Sequence, residues 1–260
     1  MPISGTTRLY GVLGDPVAQV RAPALLNPLF AELGRDAVLV PVHVGAADLG
    51  TVLAGLAAVR NLDGLLVTVP HKIAARRLAA ARSRAADVSG SANALRRHPG
   101  GGWYADDFDG AGFVAGLDAA GHKVRGARLL IVGAGGAGAS IAAAVLAAGA
   151  DGVRLLDTDP ARTAALTARL EAHWPGRAAP ADGPGEPDIA VNATPLGLRP
   201  GDPLPFDPAA LPPGRVVADI VMRPRDTALL RTAAALGHAV HHGDHMLDHQ
   251  VALYREFFAL

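Results

Sequence analysis

Two groups of residues in this chain have types and spacings that suit chemistry. The first is Gly133, Ala134, Gly135, Gly136, Ala137 and Gly138, a G-x-G-x-x-G turn between a β-branched run and an alanine-rich helical pattern. In such a turn the first glycine permits a tight reversal, the second lets backbone approach a pyrophosphate, and the third lets helix and strand pack closely. The helix N-terminus adds unsatisfied N–H groups for phosphate. Asp157 ends the next apolar run roughly 20 residues on, where a carboxylate binds a ribose diol and repels a 2′-phosphate. That favours NAD as cofactor, with NADP as the alternative. Asp157 and Asp159 also suit capping of a helix that begins at Pro160, and Arg162 suits either a phosphate or the face of an adenine.

The second group lies earlier. "LLVTVPHK" (65–72) is an apolar run that stops at Pro70 and then offers His71 and Lys72. In open α/β sheets, sites lie at the carboxyl ends of strands. A lysine there can hydrogen-bond a hydroxyl, or the carbonyl it becomes, and pass a proton while hydride moves to a nicotinamide. It needs an acidic neighbour, and "YADDFDGAGF" offers Asp106, Asp107 and Asp109. His71 either approaches the substrate or starts a helix. Taken alone, Lys72 also reads as a solvated residue at a helix start.

These residues need elements to hold them. Short apolar runs alternate with helical patterns, the rhythm of βαβ units and a mainly parallel sheet. Strands are expected at 9–14, 37–44 and 64–70, with helices near 23–34, 47–60 and 72–82. A second series has a helix near 110–120, a strand at 128–135, a helix to about 148, a strand at 152–157 and a helix near 160–172. Strands at 188–194, 215–221 and 238–243 and a helix near 226–236 complete it. The polar, glycine-rich interruption between the series places a boundary near residue 110. The expected division is a substrate domain over 1–109 and a dinucleotide domain over 110–243. Apolar residues at 246, 247, 251, 253, 254, 257 and 258 fit one amphipathic C-terminal helix, and 180–188 reads as a loop.

Composition narrows the function classes. Half of the 260 residues are hydrophobic, and 24 basic residues balance 24 acidic ones, which argues against disorder and against a polyanionic partner. The clusters 82–84 and 96–97 lack interleaved aromatics, so nucleic-acid binding is not expected. With no cysteine, disulfides, cysteine-ligated zinc and thiol catalysis drop out. No leader or membrane span is expected, and a cytoplasmic location is the default. His245 and His249 have an i, i+4 spacing that can ligate zinc, but no second ligand segment accompanies them, and no metal is expected.

Seven segments in order, "GDPV…AP", "VTVPHK", "GSANA", "DDFDGAG", "VGAGGAG", "NATPLG" and "GDHMLDHQ", resemble the shikimate/quinate dehydrogenase family over nearly the whole chain. The resemblance implies an α/β fold with an N-terminal, mainly parallel substrate domain and a Rossmann-type dinucleotide-binding domain, with residues 244–260 returning to the first. It implies that Lys72 and Asp109 are the catalytic pair and that Thr68, Asn93 and Gln250 hold ring hydroxyls. Asn192, Thr194, Pro195 and Leu196 would line the nicotinamide side, with Val221 and Gly243 as further cofactor contacts. The substrate would be a cyclic hydroxy acid or related ring alcohol, and the protein a monomer or homodimer.

The chain departs from the family where three hydroxyls would bind the substrate carboxylate. Val20 and Ala22 replace a serine pair, and Met222 replaces a tyrosine. Burying a carboxylate without donors is expensive. Either Arg21 or Arg223 replaces them with a charge-assisted fork, or the substrate presents an apolar or amide group there. Phe108 also replaces a threonine and Asp107 an asparagine. Two rivals remain: a dinucleotide-dependent ligand sensor without turnover, and an enzyme like methylene-tetrahydrofolate dehydrogenase.

Overall fold

Leucine- and valine-rich runs form the strands, and alanine-rich segments bounded by glycine or proline form the helices. The computed structural model describes residues 3–260. The chain divides into two units, one of residues up to Phe108 together with Val251–Leu260, the other of Asp109–Gln250.

The first unit runs β1 (Arg8–Gly14), α1 (Ala22–Glu32), β2 (Ala37–His43), α2 (Leu49–Ala58), β3 (Leu62–Val67), α3 (Lys72–Leu78), β4 (Ala81–Arg82), α4 (Arg84–Ser89), β5 (Ala94–Arg97) and β6 (Trp103–Asp106). Its sheet has the order β2-β1-β3-β5-β6-β4. The pairs β1/β2, β1/β3 and β4/β6 are parallel, and β5 runs antiparallel to both neighbours, so the sheet is parallel-rich with one reversed strand. One face is filled by Leu13, Leu49, Leu53, Leu65, Val67, Leu95 and Trp103.

The reversed strand lies in a stretch where the sequence pattern shows no regular elements. Four of them sit between Ala81 and Asp106, each of two to six residues and too short for periodicity to register. Local chemistry fixes them. Ser83 caps α4 by accepting the Ala86 N–H at 3.1 Å, and Gly90 ends it in the left-handed region at φ 73°. Arg97 donates to the carbonyls of Leu62 (2.7 Å), Ala57 (2.9 Å) and Val59, thereby closing the C-terminal end of α2.

The second unit runs α5 (Asp109–Ala119), β7 (Arg128–Val132), α6 (Gly136–Ala147), β8 (Gly152–Leu156), α7 (Pro160–Glu171), β9 (Ala178–Pro180), β10 (Ile189–Asn192), β11 (Val216–Asp219), α8 (Ala228–Ala235), β12 (Ala239–His241) and the start of α9 (Asp244–Phe257), whose residues from Val251 on belong to the first unit. Its six strands are all parallel, in the order β12-β11-β10-β7-β8-β9. This is the doubly wound order whose direction reverses between β7 and β10, the switch point where ligands of such sheets bind. Within this unit β9, three residues long, has no counterpart in the sequence pattern.

Two close approaches fix α5. A Cβ on Gly110 would penetrate the Ser140 carbonyl of α6, and one on Gly112 would lie 2.5 Å from the Met246 carbonyl and 2.6 Å from Gln250 Cγ on α9. The last residues pack on the first unit's sheet, where the Phe258 ring covers Gly64 and meets Tyr10 edge-on at 5.2 Å.

Candidate active site

The glycine turn joins β7 to α6 at the switch point. Gly133 has φ +106°, and a Cβ there would sit 2.8 Å from the carbonyl of Ala193, so a side chain is excluded twice over. A Cβ on Gly138 would overlap the Gly133 carbonyl oxygen. Gly135 differs: no described atom lies within 4 Å of where its Cβ would be. The first and third glycines are thus demanded by the protein's own packing, while the second opens onto space. That is the division of labour a pyrophosphate cradle requires, and Gly135, Gly136 and Ala137 are half-buried at its rim.

Asp157 follows β8 and is tied to this turn. Its Oδ2 accepts the Ala134 N–H at 2.7 Å and its Oδ1 the Asp159 N–H at 2.9 Å. It does not cap α7; Asp159 does, accepting the N–H groups of Ala161 at 2.9 Å and Arg162 at 3.4 Å. The Arg162 side chain is exposed and pairs with Asp159 at 3.2 Å.

After β10, the Asn192–Leu196 loop closes on itself. Asn192 Oδ1 accepts from the Thr194 N–H (3.0 Å) and hydroxyl (2.7 Å), while its Nδ2 donates to the Leu196 carbonyl and to Asp219, both at 3.0 Å. Asp219 was missed in the sequence, where it read as part of an apolar strand. Its carboxylate also accepts from the Val221 N–H at 3.0 Å and the Thr227 hydroxyl at 2.7 Å, and burial holds its pKa above the ordinary carboxylate value. It binds the loop after β10 to the loop after β11, which carries Val221 and half-buried Met222. Pro195 is exposed and Leu196 half-buried. Gly243 is demanded by space: a Cβ there would lie 2.6 Å from the Ile220 backbone.

Asp109 opens α5, and Gln250 lies on α9. Both are buried, and Gln250 Nε2 donates to Asp109 Oδ1 at 3.2 Å. The second unit therefore joins the candidate orienting acid to a candidate hydroxyl ligand. Asp106 and Asp107 are the other two acids of the segment that holds Asp109. Asp106 accepts from Ser83 and from the Asp107 N–H, and Asp107 accepts the Ser89 hydroxyl at 2.8 Å.

In the first unit, Thr68 and Lys72 flank the turn from β3 into α3, both half-buried. His71 does not line an open site: it is 1% exposed, and its Nε2 lies 2.7 Å from the Val44 carbonyl, anchoring the residue before Lys72. Asn93 is buried and pinned through its backbone, its N–H donating to Asp106 and its carbonyl accepting from Val67. Val20 is half-buried, Ala22 buried, and Arg21 is the half-buried residue preceding α1; Arg223 is exposed.

The histidines are separated in role. His249 Nδ1 lies 2.8 Å from the His245 carbonyl, the local contact of an i, i+4 pair on α9, and no group of three ligating side chains is arranged for a metal among the described residues. Among the described residues no helix is long and apolar enough to cross a membrane.

An all-parallel doubly wound sheet with a pyrophosphate-type turn at its switch point defines a dinucleotide-binding protein of the Rossmann class. Residues 12–95 match the model of the shikimate dehydrogenase substrate binding domain. The chain is 38% identical over 255 residues to shikimate dehydrogenase (NADP(+)) of Rubrobacter xylanophilus, covering 95% of this chain and 89% of that one. The chain belongs to the shikimate/quinate dehydrogenase family, whose members are NAD(P)-dependent oxidoreductases. Among solved structures, shikimate 5-dehydrogenase of Listeria monocytogenes, in complex with shikimate and NAD, is 28% identical with a TM-score of 0.88, over 100% of this chain and 94% of that one. Ligand-free 5-ketofructose reductase of Gluconobacter sp. is 27% identical with a TM-score of 0.84, over 98% and 94%.

Proposed function

We propose that this protein is an NAD(P)-dependent dehydrogenase that reversibly oxidises a ring hydroxyl of shikimate, quinate or a related cyclic polyol. The observation that carries this reading is the buried contact of Gln250 with Asp109, a candidate hydroxyl ligand bonded to the candidate orienting acid. When bound, the nicotinamide supplies the hydride acceptor. Lys72 hydrogen-bonds the reacting hydroxyl and takes its proton at Nζ as the carbonyl forms, and Asp109 orients it. Thr68, Asn93 and Gln250 hold the other hydroxyls. Gly133 to Gly138 hold the pyrophosphate, and Asn192 to Leu196, Val221 and Gly243 flank the nicotinamide.

NAD is the preferred cofactor in this reading. What supports it is Asp157, tied to the glycine turn from the end of β8, where an acid accepts from a ribose diol and repels a 2′-phosphate, and the engagement of Arg162 by Asp159. The NADP-named relative makes the cofactor an experimental question rather than an inherited property.

A second substrate reading is favoured by Val20, Ala22 and Met222, which supply no hydrogen-bond donor from their side chains. In that reading the substrate is a neutral polyol or keto-sugar, the latter being the class named for the Gluconobacter relative. The test is NADH or NADPH formation by purified protein with shikimate, quinate, an amino-substituted analogue and ring alcohols lacking a carboxylate, and NADH or NADPH consumption with a keto-sugar. Turnover of shikimate or quinate supports the first reading and makes Arg21 the next residue to mutate. Turnover of the carboxylate-free compounds alone supports the second. Saturable binding without turnover of any of them would return the ligand sensor.

A further inference from the structure

Asn93, a candidate hydroxyl ligand, is fixed through both ends of its amide, and one of the residues fixing it lies 161 positions away in sequence. Its Oδ1 accepts the backbone N–H of Phe108 at 2.9 Å, and its Nδ2 donates to the phenolic oxygen of Tyr254 at 3.0 Å. Asn93 and Tyr254 are only 2% and 3% exposed, so these bonds form away from bulk water, where an unsatisfied amide is costly.

The two bonds have opposite polarity. A backbone N–H can only donate, so the Phe108 contact assigns Oδ1 to that side of the amide. The Tyr254 oxygen then receives Nδ2 on the other side. The Phe108 contact excludes the flipped amide, which would set Nδ2 against the Phe108 N–H, and the phenol, able to donate or accept, holds the other side. The remaining bonding directions of the amide follow from this choice.

Tyr254 is itself held. Its ring meets Phe108 edge-on at 5.6 Å and an interplanar angle of 87°, and Phe108 makes a second edge contact with Phe257 at 5.3 Å. Phe108 therefore serves Asn93 twice, through its N–H and through the ring that seats Tyr254. Phe257 lies three residues beyond Tyr254 on α9, the spacing at which two side chains of one helix share a face. One face of α9 thus supplies both the phenol and the aromatic support of the ring that seats it.

We propose that Tyr254 is a positioning residue for substrate-hydroxyl recognition, holding the Asn93 amide in place through its phenolic oxygen while the Phe108 N–H sets which end is which. This rests on the proposed function insofar as Asn93 is a substrate ligand; the contact between the two side chains does not depend on it. Tyr254→Phe keeps the ring against Phe108 and removes only the oxygen. The expected result is a rise in KM for the ring polyol of about tenfold, the effect of one buried hydrogen bond, with kcat and cofactor KM within about twofold of wild type.

The control is the double variant. In an Asn93→Ala background, Tyr254→Phe should change substrate KM by less than about twofold, because the group it orients is gone. Equal effects of Tyr254→Phe in both backgrounds, or an unchanged KM in the single variant, overturn the proposal. Failure of the functional reading is separate. If the wild type neither turns over nor binds any ring polyol, the substrate assignment falls, and hydrogen exchange of the Asn93 side-chain amide decides the role of Tyr254. Exchange about tenfold faster in Tyr254→Phe retains it; identical rates dismiss it.

Discussion

The glycine turn after β7 and the Asn93 corner of the first unit, both proposed to recognise ligands, are built in opposite ways. At Gly133 and Gly138 the protein's own backbone leaves no room for a side chain, and any ligand meets main-chain N–H groups. At Asn93 the group proposed to recognise substrate is a side chain, and its direction is set by Phe108 and Tyr254. A backbone cradle cannot be re-specified without moving a strand, whereas a side-chain corner can be changed by exchanging one residue. Substitutions should therefore act on the first as on packing and on the second as on specificity.

The sharpest test of side-chain chemistry is Lys72→Ala. If Lys72 carries proton transfer, kcat should fall about 10³-fold, within the usual range for a lost acid–base group, while cofactor affinity stays unchanged. Stopped-flow turnover together with cofactor titration reads both quantities. Retained turnover would move the proton-transfer role elsewhere and would leave Lys72 as a residue of the helix start.

Gly138→Val tests the backbone cradle. Its Cβ would overlap the Gly133 carbonyl oxygen, so the turn must open, and overpacking of this sort costs about 2–3 kcal/mol, or roughly 100-fold in cofactor affinity if the strain falls on the binding conformation. Gly135→Ala, facing open space, should leave stability unchanged while still weakening the cofactor. Fluorescence titration and thermal unfolding separate the two variants. Equal losses of stability would erase the distinction drawn between these glycines.

Stability against pH probes a third region, at the end of β12. His241 is buried, neither ring nitrogen has a hydrogen-bond partner among the described residues, and burial followed by the neighbouring His245, His122 and His242 lowers its pKa to about 4. Asp244 opposes the shift. The unfolded chain binds this proton near pH 6.5, so below that value unfolding takes up a proton that the native state refuses. The contribution is fully present above pH 6.5 and is lost progressively down to about pH 4, ~3 kcal/mol in all. Denaturant titrations across that window should show the slope, and His241→Leu should flatten it.

Much of this architecture is legible in the chain because it rests on long, repeated signals. Strand–glycine–helix punctuation marks β7 and α6, and the apolar spacing of 246–258 marks α9. The stretch from Ala81 to Asp106 is not legible, because elements of two to six residues are fixed by single contacts such as Ser83 on Ala86 and Arg97 on the end of α2. The same holds at the site. Glycines required by backbone geometry announce themselves in sequence. Asp219 and Tyr254 do not, since each acts through a partner, Asn192 or Asn93, that only the fold brings near.

The smallest effect expected is the most informative about the cofactor. Asp157 uses both carboxylate oxygens on backbone donors, Oδ2 on Ala134 within the turn and Oδ1 on Asp159. Asp157→Asn keeps one acceptor and turns the other position into a donor facing a donor, while also removing the charge that repels a 2′-phosphate. Were the carboxylate only a strut for the turn, NAD and NADP would weaken together and their ratio would hold. If it reads the ribose, the ratio of kcat/KM for NAD over that for NADP should fall about tenfold, roughly 1.4 kcal/mol, with NADP gaining in absolute terms. Asp157→Ala distinguishes loss of support from loss of charge, because it abolishes both backbone bonds and the repulsion at once. NADP should therefore gain less in Asp157→Ala than in Asp157→Asn, and an unchanged ratio in both would strip Asp157 of any part in cofactor choice.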